Sequence, residues 1–164
     1  MPHIEDVAKQ MVSRLSAAKA DYIEARLEDS ASSYISYRGK VLENIGKSAS
    51  VGGNIRALVK GGWGFVSFNS LDDLDERIKL AVREAELAGH GESHLAEVKP
   101  VVDTVAPVFM QNPVEIPLKE KKELLDGYNA LIWKTPKLQT SNMGYGDGYK
   151  KSIFINSQGS FIQQ

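Results

Sequence analysis

Two histidines four residues apart, His90 and His94, with Glu92 between them, are the residues best suited by type to hold a metal. On one face of a helix such a pair shares a zinc ion, and a neighbouring glutamate works on the bound water. Here Gly89 and Gly91 flank His90 and work against a helix. Glu92 follows the first histidine by two positions rather than one, and no third ligand is placed. His3 lies at the chain start and is read as inert. Asp72, Asp73 and Asp75 form an acidic group, but carboxylates in the first turn of a helix favour its dipole, which explains them without a metal. Ser32, Ser33, Ser48 and Ser50 have no histidine and acid set around them by any motif, and no G-x-S-x-G occurs. The run Gly61-Gly62-Trp63-Gly64 fits neither form of phosphate loop and reads as hairpin punctuation. Trp63 and Phe65 are expected in the core rather than on a ligand platform. The residues therefore assign no catalytic group, no metal ligand and no substrate-binding position.

The composition narrows the function classes further. The chain has 164 residues and a net charge of -1, with acids and bases mixed along it. A nucleic-acid binder needs a basic face. The only lysine cluster, Lys119, Lys121 and Lys122, alternates with Glu120 and Glu123 and reads as a solvated helix face. There is no cysteine, which removes disulfides, thiolate zinc sites and cysteine nucleophiles and fits a reducing compartment. Charged residues interrupt the apolar positions near the N-terminus, unlike a signal core. No apolar stretch approaches the roughly 20 residues of a membrane span. A soluble, cytoplasmic protein with no membrane partner is expected.

These residues must be positioned by helices and strands, and the hydrophobic period locates them. Ile4, Val7, Met11 and Leu15 give a first helix over about 4–18. From Asp21 the period changes to two, with Ile23, Ala25 and Leu27 on one side and Tyr22, Glu24 and Arg26 on the other. Asp29-Ser30 reads as a turn, 33–38 as a second strand, Arg38-Gly39-Lys40 as a hairpin, 40–45 as a third strand and 46–50 as a loop. Ile55, Ala57 and Val59 mark a fourth strand, and 63–68 a fifth after the Gly61-Gly62 turn. Links this short require antiparallel pairing. Ser70 and Asp73 form a capping box for a helix over 71–88, which Gly89 ends.

Pro100, Pro107 and Pro113 break residues 90–116, which are expected to form an extended strap, because Val101, Val102, Val105, Val108 and Phe109 would be costly to leave in water. Pro117 opens another helix, up to about Lys134. Strand-like runs follow at 138–145, 149–156 and 160–164. The expected fold is α+β. Helices pack on a mostly antiparallel meander sheet over 1–89, the strap follows over 90–116, and a second, partial helix-plus-strands unit covers 117–164. That second unit repeats the order of the first, helix, strands and a glycine turn, with Gln158-Gly159-Ser160 matching Arg38-Gly39-Lys40. It stops partway along its third strand, so the chain is expected to be a fragment or the start of something longer.

The stretch from Gly52 to Asn69, GGNIRALVKGGWGFVSFN, with the helix after it, resembles the N-terminal part of the TldD/PmbA metalloprotease family. Trp63-Gly64-Phe65 is similar to the TldD branch, Ala20–Arg26 to the opening strand of these proteins, Lys119–Asn129 to their middle helix and Asn156-Ser157-Gln158-Gly159 to the turn after it. The resemblance implies the N-terminal domain of a longer zinc peptidase acting on unfolded peptides, in TldD–TldE assemblies or homo-oligomers. In the family, zinc sits in the C-terminal domain on H-E-x-x-x-H, which this sequence lacks, so no zinc ligand carries over and the chain alone is expected to be inactive and metal-free. The family's label as modulator of DNA gyrase finds no support in the charge distribution. Two readings of another class remain: a stand-alone interaction or regulatory module, and a small autonomous hydrolase, for which no constellation of residues speaks.

Overall fold

The computed structural model describes residues 3–93 and 95–164; His94, half of the histidine pair, lies outside them. Helix α1 spans Ile4–Ser16 and buries Ile4, Val7, Ala8, Met11 and Leu15, the stripe its period requires. Strands β1 (Tyr22–Arg38) and β2 (Val41–Val59) follow, then β3 (Gly62–Phe68) and helix α2 (Leu74–Ala88). A short β4 (Val102–Thr104), a 3₁₀ turn (Pro113–Glu115), helix α3 (Leu118–Ile132), β5 (Asn142–Asn156) and β6 (Phe161–Gln163) complete the order. One six-stranded sheet runs β3-β2-β1-β5-β6-β4. The pairs β2–β3 and β5–β6 are antiparallel and β4–β6 is parallel. The fold is α+β with a mostly antiparallel sheet, as the periodicity requires.

Strand number differs from the sequence expectation. The runs 22–28 and 33–38 are one strand, and no turn forms at Asp29-Ser30. The polar stretch 46–50 is the middle of β2 rather than a loop, and the two runs between 138 and 156 merge into β5. The reason is physical. Strands are held by backbone pairing, and small polar side chains such as Ser30 and Ser50, whose hydroxyls meet at 2.9 Å, do not oppose it. These stretches are half-buried or exposed, so no alternation records them. All three predicted glycine turns contain a glycine in left-handed backbone, Gly39 at φ 61°, Gly61 at φ 79° and Gly159 at φ 96°.

Two compact units share these strands. The first comprises residues up to Asp29, Val51–Pro107 and Lys151–Gln164; the second comprises Ser30–Ser50 and Val108–Lys150. In the first, α1 and α2 pack on Ile23, Ala25, Leu27, Ile55, Ala57, Val66, Ile153 and Ile155. The second holds a smaller core of Ile35, Tyr37 and Leu125, with Leu42, Leu118, Met143 and Tyr145 against it.

Three local expectations are corrected. Helix α2 begins at Leu74, with Asp73 at φ 55° as its N-cap and no side-chain cap bond. Ser70 instead bonds Asp72, donating to the carboxylate and accepting from the Asp72 N–H, so the capping box does not form. Gly89 does end α2, but in extended rather than left-handed backbone, and glycine is required there because a Cβ would strike the Val59 carbonyl. The strap is partly a strand, with Val105 N–H reaching Gln163 and Phe161 N–H reaching Val101. Backbone pairing rather than side-chain burial holds it, and Val102, Val105, Val108 and Phe109 remain exposed.

Candidate functional site

Trp63 and Phe65 are not core residues. Along β3 the buried positions are Gly62, Gly64, Val66 and Phe68, and the two aromatics between them are 40% and 56% exposed. Glycine occupies the buried face because α2 lies directly on it. A Cβ on Gly64 would run into the Ala81 carbonyl, and one on Gly62 into the backbone at Ala85 and Gly89. With bulk excluded from that side, the strand's large side chains stand on the opposite face.

On that opposite face alternation also places Tyr22, Glu24 and Arg26 from β1, Arg56 from β2, and Phe154 and Asn156 from β5. Glu24 is the buried centre, its side chain 4% exposed. Its carboxylate accepts from the Tyr22 hydroxyl at 2.7 Å and from Arg56 Nε and Nη2 at 2.9 Å each. Arg26 lies 3.7 Å away. The Arg56 guanidinium also lies 5.0 Å from the centre of the Trp63 ring, and Tyr22 meets the same ring edge-on at 6.2 Å. Arg26 stacks over Phe154 at 5.3 Å. Burial, reinforced by the bond to Glu24, pushes the Tyr22 hydroxyl up to about 12. With its oxygens committed to these donors, Glu24 is a strut, and the exposed surface it supports is aromatic and cationic. Aromatic rings and guanidinium groups suit recognition rather than bond-breaking chemistry.

Beside this face runs a sheet edge, since β3 is the terminal strand and, among the described residues, pairs with β2 alone. The Phe65 N–H points away from β2 and donates to Glu84 Oε2 at 3.2 Å. By the alternation of an antiparallel ladder, the main-chain groups of Trp63 and Ser67 point the same way.

The second unit holds a different cluster. Lys121 is buried, contrary to the solvated helix face expected of it; Lys119 on the same helix is exposed as expected. Lys121 Nζ lies 2.6 Å from Asp147 Oδ2 and donates to Ser33 Oγ at 2.9 Å, and Ser33 donates to Asp147 at 2.7 Å. Burial raises the Asp147 pKa, but bonds from Lys121, Tyr145 and Ser33 outweigh it and hold the carboxyl below its usual range. The bond to Asp147, with burial, pushes Tyr145 up to about 12. Ser33, Lys121 and Asp147 line a cavity of about 240 Å³ with Lys47, Ser48 and Val114. A serine beside a lysine is the geometry of a nucleophile with its base. Here the direction is wrong: Lys121 donates to Ser33, and the serine proton is aimed at Asp147. The cluster is an ion pair with a hydroxyl strut, and Ser32 and Ser48 line the cavity without joining it.

The remaining candidate residues stay apart. Asp75 pairs with Arg14 at 3.1 Å, Asp72 with Ser70, and Asp73 caps α2. His3 lines a separate cavity of about 400 Å³ with Asp29, Asn69 and Asp72. Among the described residues no three of His, Cys, Asp or Glu come together as a metal site. The Glu24 and Asp147 clusters were missed because each joins residues from distant strands, and a single buried Glu in an alternating strand looks like any exposed one. The one available signal for Lys121 was its i, i+4 spacing with Leu125 and Asn129, which share its buried side.

Comparison with known proteins bears on this geometry. The family described as PmbA/TldA metallopeptidase domain 1 matches residues 23–88. The chain is 36% identical over 149 residues to metalloprotease slr0863 of Synechocystis, covering 90% of this chain and 32% of that protein. It is 29% identical to metalloprotease MJ0996 of Methanocaldococcus jannaschii, covering 87% of this chain and 33% of that protein. It therefore spans about a third of the length of the curated relatives it matches. Among solved structures, TldE from Thermococcus kodakarensis superposes with a TM-score of 0.72 at 16% identity, over 96% of this chain and 36% of that one. A protein described as a putative modulator of DNA gyrase from Bacteroides thetaiotaomicron superposes at 0.78 and 16% identity, over all of this chain and 39% of that one. Likeness at this identity concerns the fold alone.

Proposed function

With the chain a TldD/PmbA-family N-terminal region as premise, we propose that it is the non-catalytic part of a TldD-like zinc metallopeptidase that acts on unfolded peptides. Its task is to hold substrate in extended form. The observation that carries this reading is the edge position of β3, with the Trp63 and Phe65 side chains exposed beside outward main-chain groups. An extended peptide adding as a further strand would draw its affinity from the main chain, which every unfolded sequence offers, and so would be held with little regard to sequence. The Phe65 N–H would exchange its Glu84 carboxylate for a peptide carbonyl. Hydrolysis, and the zinc that would activate water for it, belong in this reading to the part of the family that the chain does not span.

The test is binding of a fluorescent unstructured peptide to the 164-residue chain, followed by anisotropy, with amide shifts of residues 62–68 as the site readout. Phe65→Pro removes the outward N–H at an edge position that tolerates proline, and Phe65→Ala keeps it. Binding that survives in Phe65→Ala and is lost in a folded Phe65→Pro supports the reading. Binding equal in both, or shifts confined to other strands, overturns it.

A further inference from the structure

The fold alone gives no reason for the cavity beside Lys121 and Asp147. Both side chains are more than nine-tenths buried, 4% and 8% exposed. Packed apolar side chains of the same volume commonly stabilise a protein as well as a buried ion pair, or better. The open space next to the pair adds to the cost, because its walls forgo the contacts of a filled core. Residue choice keeps that space open. Ala31 of β1 and Ala49 of β2 line it, with Val114. Farther along the same face of β1, Ile35 and Tyr37 fill the core instead.

Counting hydrogen bonds gives the sign of what fits there. The Lys121 ammonium has three N–H groups. Asp147 and Ser33 take two, and among the described residues the third has only the Tyr145 ring, whose centre lies 5.8 Å from Nζ. Asp147, by contrast, already receives Lys121, Tyr145 and Ser33. Lys47 lines the same cavity, is exposed, and has no ion-pair partner among the described residues. The unused bonding capacity is therefore cationic and donating, while the walls are apolar. At about 240 Å³ the space falls below the roughly 300–1,000 Å³ of drug-sized sites, so its occupant is small.

We propose that this cavity binds a small carboxylate with a short apolar body. The carboxylate accepts from the third N–H of Lys121 and from Lys47, in charge-assisted bonds that are stronger than neutral ones. The body lies against Ala31, Ala49 and Val114. Two sources offer this chemistry: a free short-chain acid, and the C-terminal carboxylate of a short peptide ending in small residues. The site is built from residues of the second unit alone. It does not rest on peptide binding at β3, and the two fail separately.

The experiment is titration of the isotope-labelled 164-residue chain, followed by amide shifts, to about 20 mM ligand, a range that reaches the weak affinity of so few atoms. The probes are butyrate and N-acetyl-alanyl-alanine, each against its own amide, and inorganic phosphate. A carboxylate is expected to give saturable shifts at 31–33, 47–49 and Lys121, and the tighter of the two acids identifies the source. The amides should bind about tenfold more weakly, for want of the charged acceptor. Lys121 is left intact, because its loss would strand Asp147 in the interior. Lys47→Gln should weaken binding about fivefold, as a partly solvated charge contact does, without moving the melting temperature. Ala49→Leu should abolish binding by filling the space, with the melting temperature not lowered. The absence of saturable shifts with either acid, amides or phosphate that bind as well as the acids, or an affinity indifferent to both Lys47→Gln and Ala49→Leu, overturns the proposal. N-acetyl-alanyl-alanine shifts confined to 62–68, with none from butyrate, would place its binding at β3 and overturn this site.

Discussion

The Arg56 guanidinium is shared between Glu24, which it contacts at 2.9 Å, and the Trp63 ring, whose centre lies 5.0 Å away. One cation thus neutralises a buried carboxylate and fixes a half-exposed indole. Arg56→Met keeps the stem and removes both contacts. Its cost should be about 2–4 kcal/mol, below the full penalty of breaking a buried pair, because the guanidinium is partly solvated and Arg26 remains nearby. Urea unfolding measures the loss, and Trp63 emission should change with it. A variant as stable as wild type would show that Glu24 does not depend on Arg56.

Gly64 meets α2 so closely that no side chain fits. Gly64→Ala should destabilise the chain by about 3 kcal/mol, at the upper end of overpacking costs, because the obstacle is helix backbone. Gly127→Ala, an identical change in open space, is the control. Paired thermal melts check both, and equal effects would contradict the packing described for β3 and α2.

For Lys121 and Asp147 the expectation is strong non-additivity. Asp147→Asn or Lys121→Met alone should each cost about 3–5 kcal/mol by leaving one buried charge without its partner. The double variant should cost much less than the sum. Acid adds a second check. Asp147 and Glu5 have folded pKa values below their ordinary ones, Asp147 through its hydrogen bonds and Glu5 first through its bond to Lys151. Their contribution is present above the unfolded carboxylate range and is lost as pH falls through the lowered values, so stability should drop below about pH 4. Asp147→Asn should flatten that drop.

Alkali acts on Tyr22 in the opposite sense. Its folded pKa of about 12 lies above the ordinary 10.0 because the phenol is buried and bonded to Glu24. The group therefore contributes fully below pH 10 and loses its contribution as pH rises from 10 to 12. Tyr22→Phe should remove that part of the alkaline loss while costing about 1–2 kcal/mol at pH 7 for the missing bond. Denaturant melts at pH 7, 10 and 11.5 for both proteins provide the comparison.

What could be read without the structure followed apolar period. α1, the start of β1, the β2–β3 hairpin and the two turn glycines were legible because Ile23, Ala25, Leu27, Ile55, Ala57 and Val59 repeat along one face. The middles of β1, β2 and β5 were not, because Ser30–Ser32, Ser48–Ser50 and Gly144–Gly148 pair through backbone and bury little. Trp63 was assigned to the wrong face, since general aromatic preference cannot anticipate a helix packed directly on glycine. The Glu24 and Lys121 clusters depend on which distant strands become neighbours, and sequence spacing holds no record of that.

The bonds between Ile23 and Ser157 bear on how the chain comes to fold. Ile23 N–H donates to the Ser157 hydroxyl at 3.2 Å, and Ser157 N–H returns to the Ile23 carbonyl at 2.8 Å. Ile153 and Ile155 are fully buried in the same core as α1. Helix α1 and strand β1 thus wait for residues more than a hundred positions later before their apolar side is closed. Closure across such a separation is slow, and the waiting surface is sticky. A nascent chain ending near residue 150 should accordingly be a client for chaperones, whereas one with a dozen more residues exposed can shut its core.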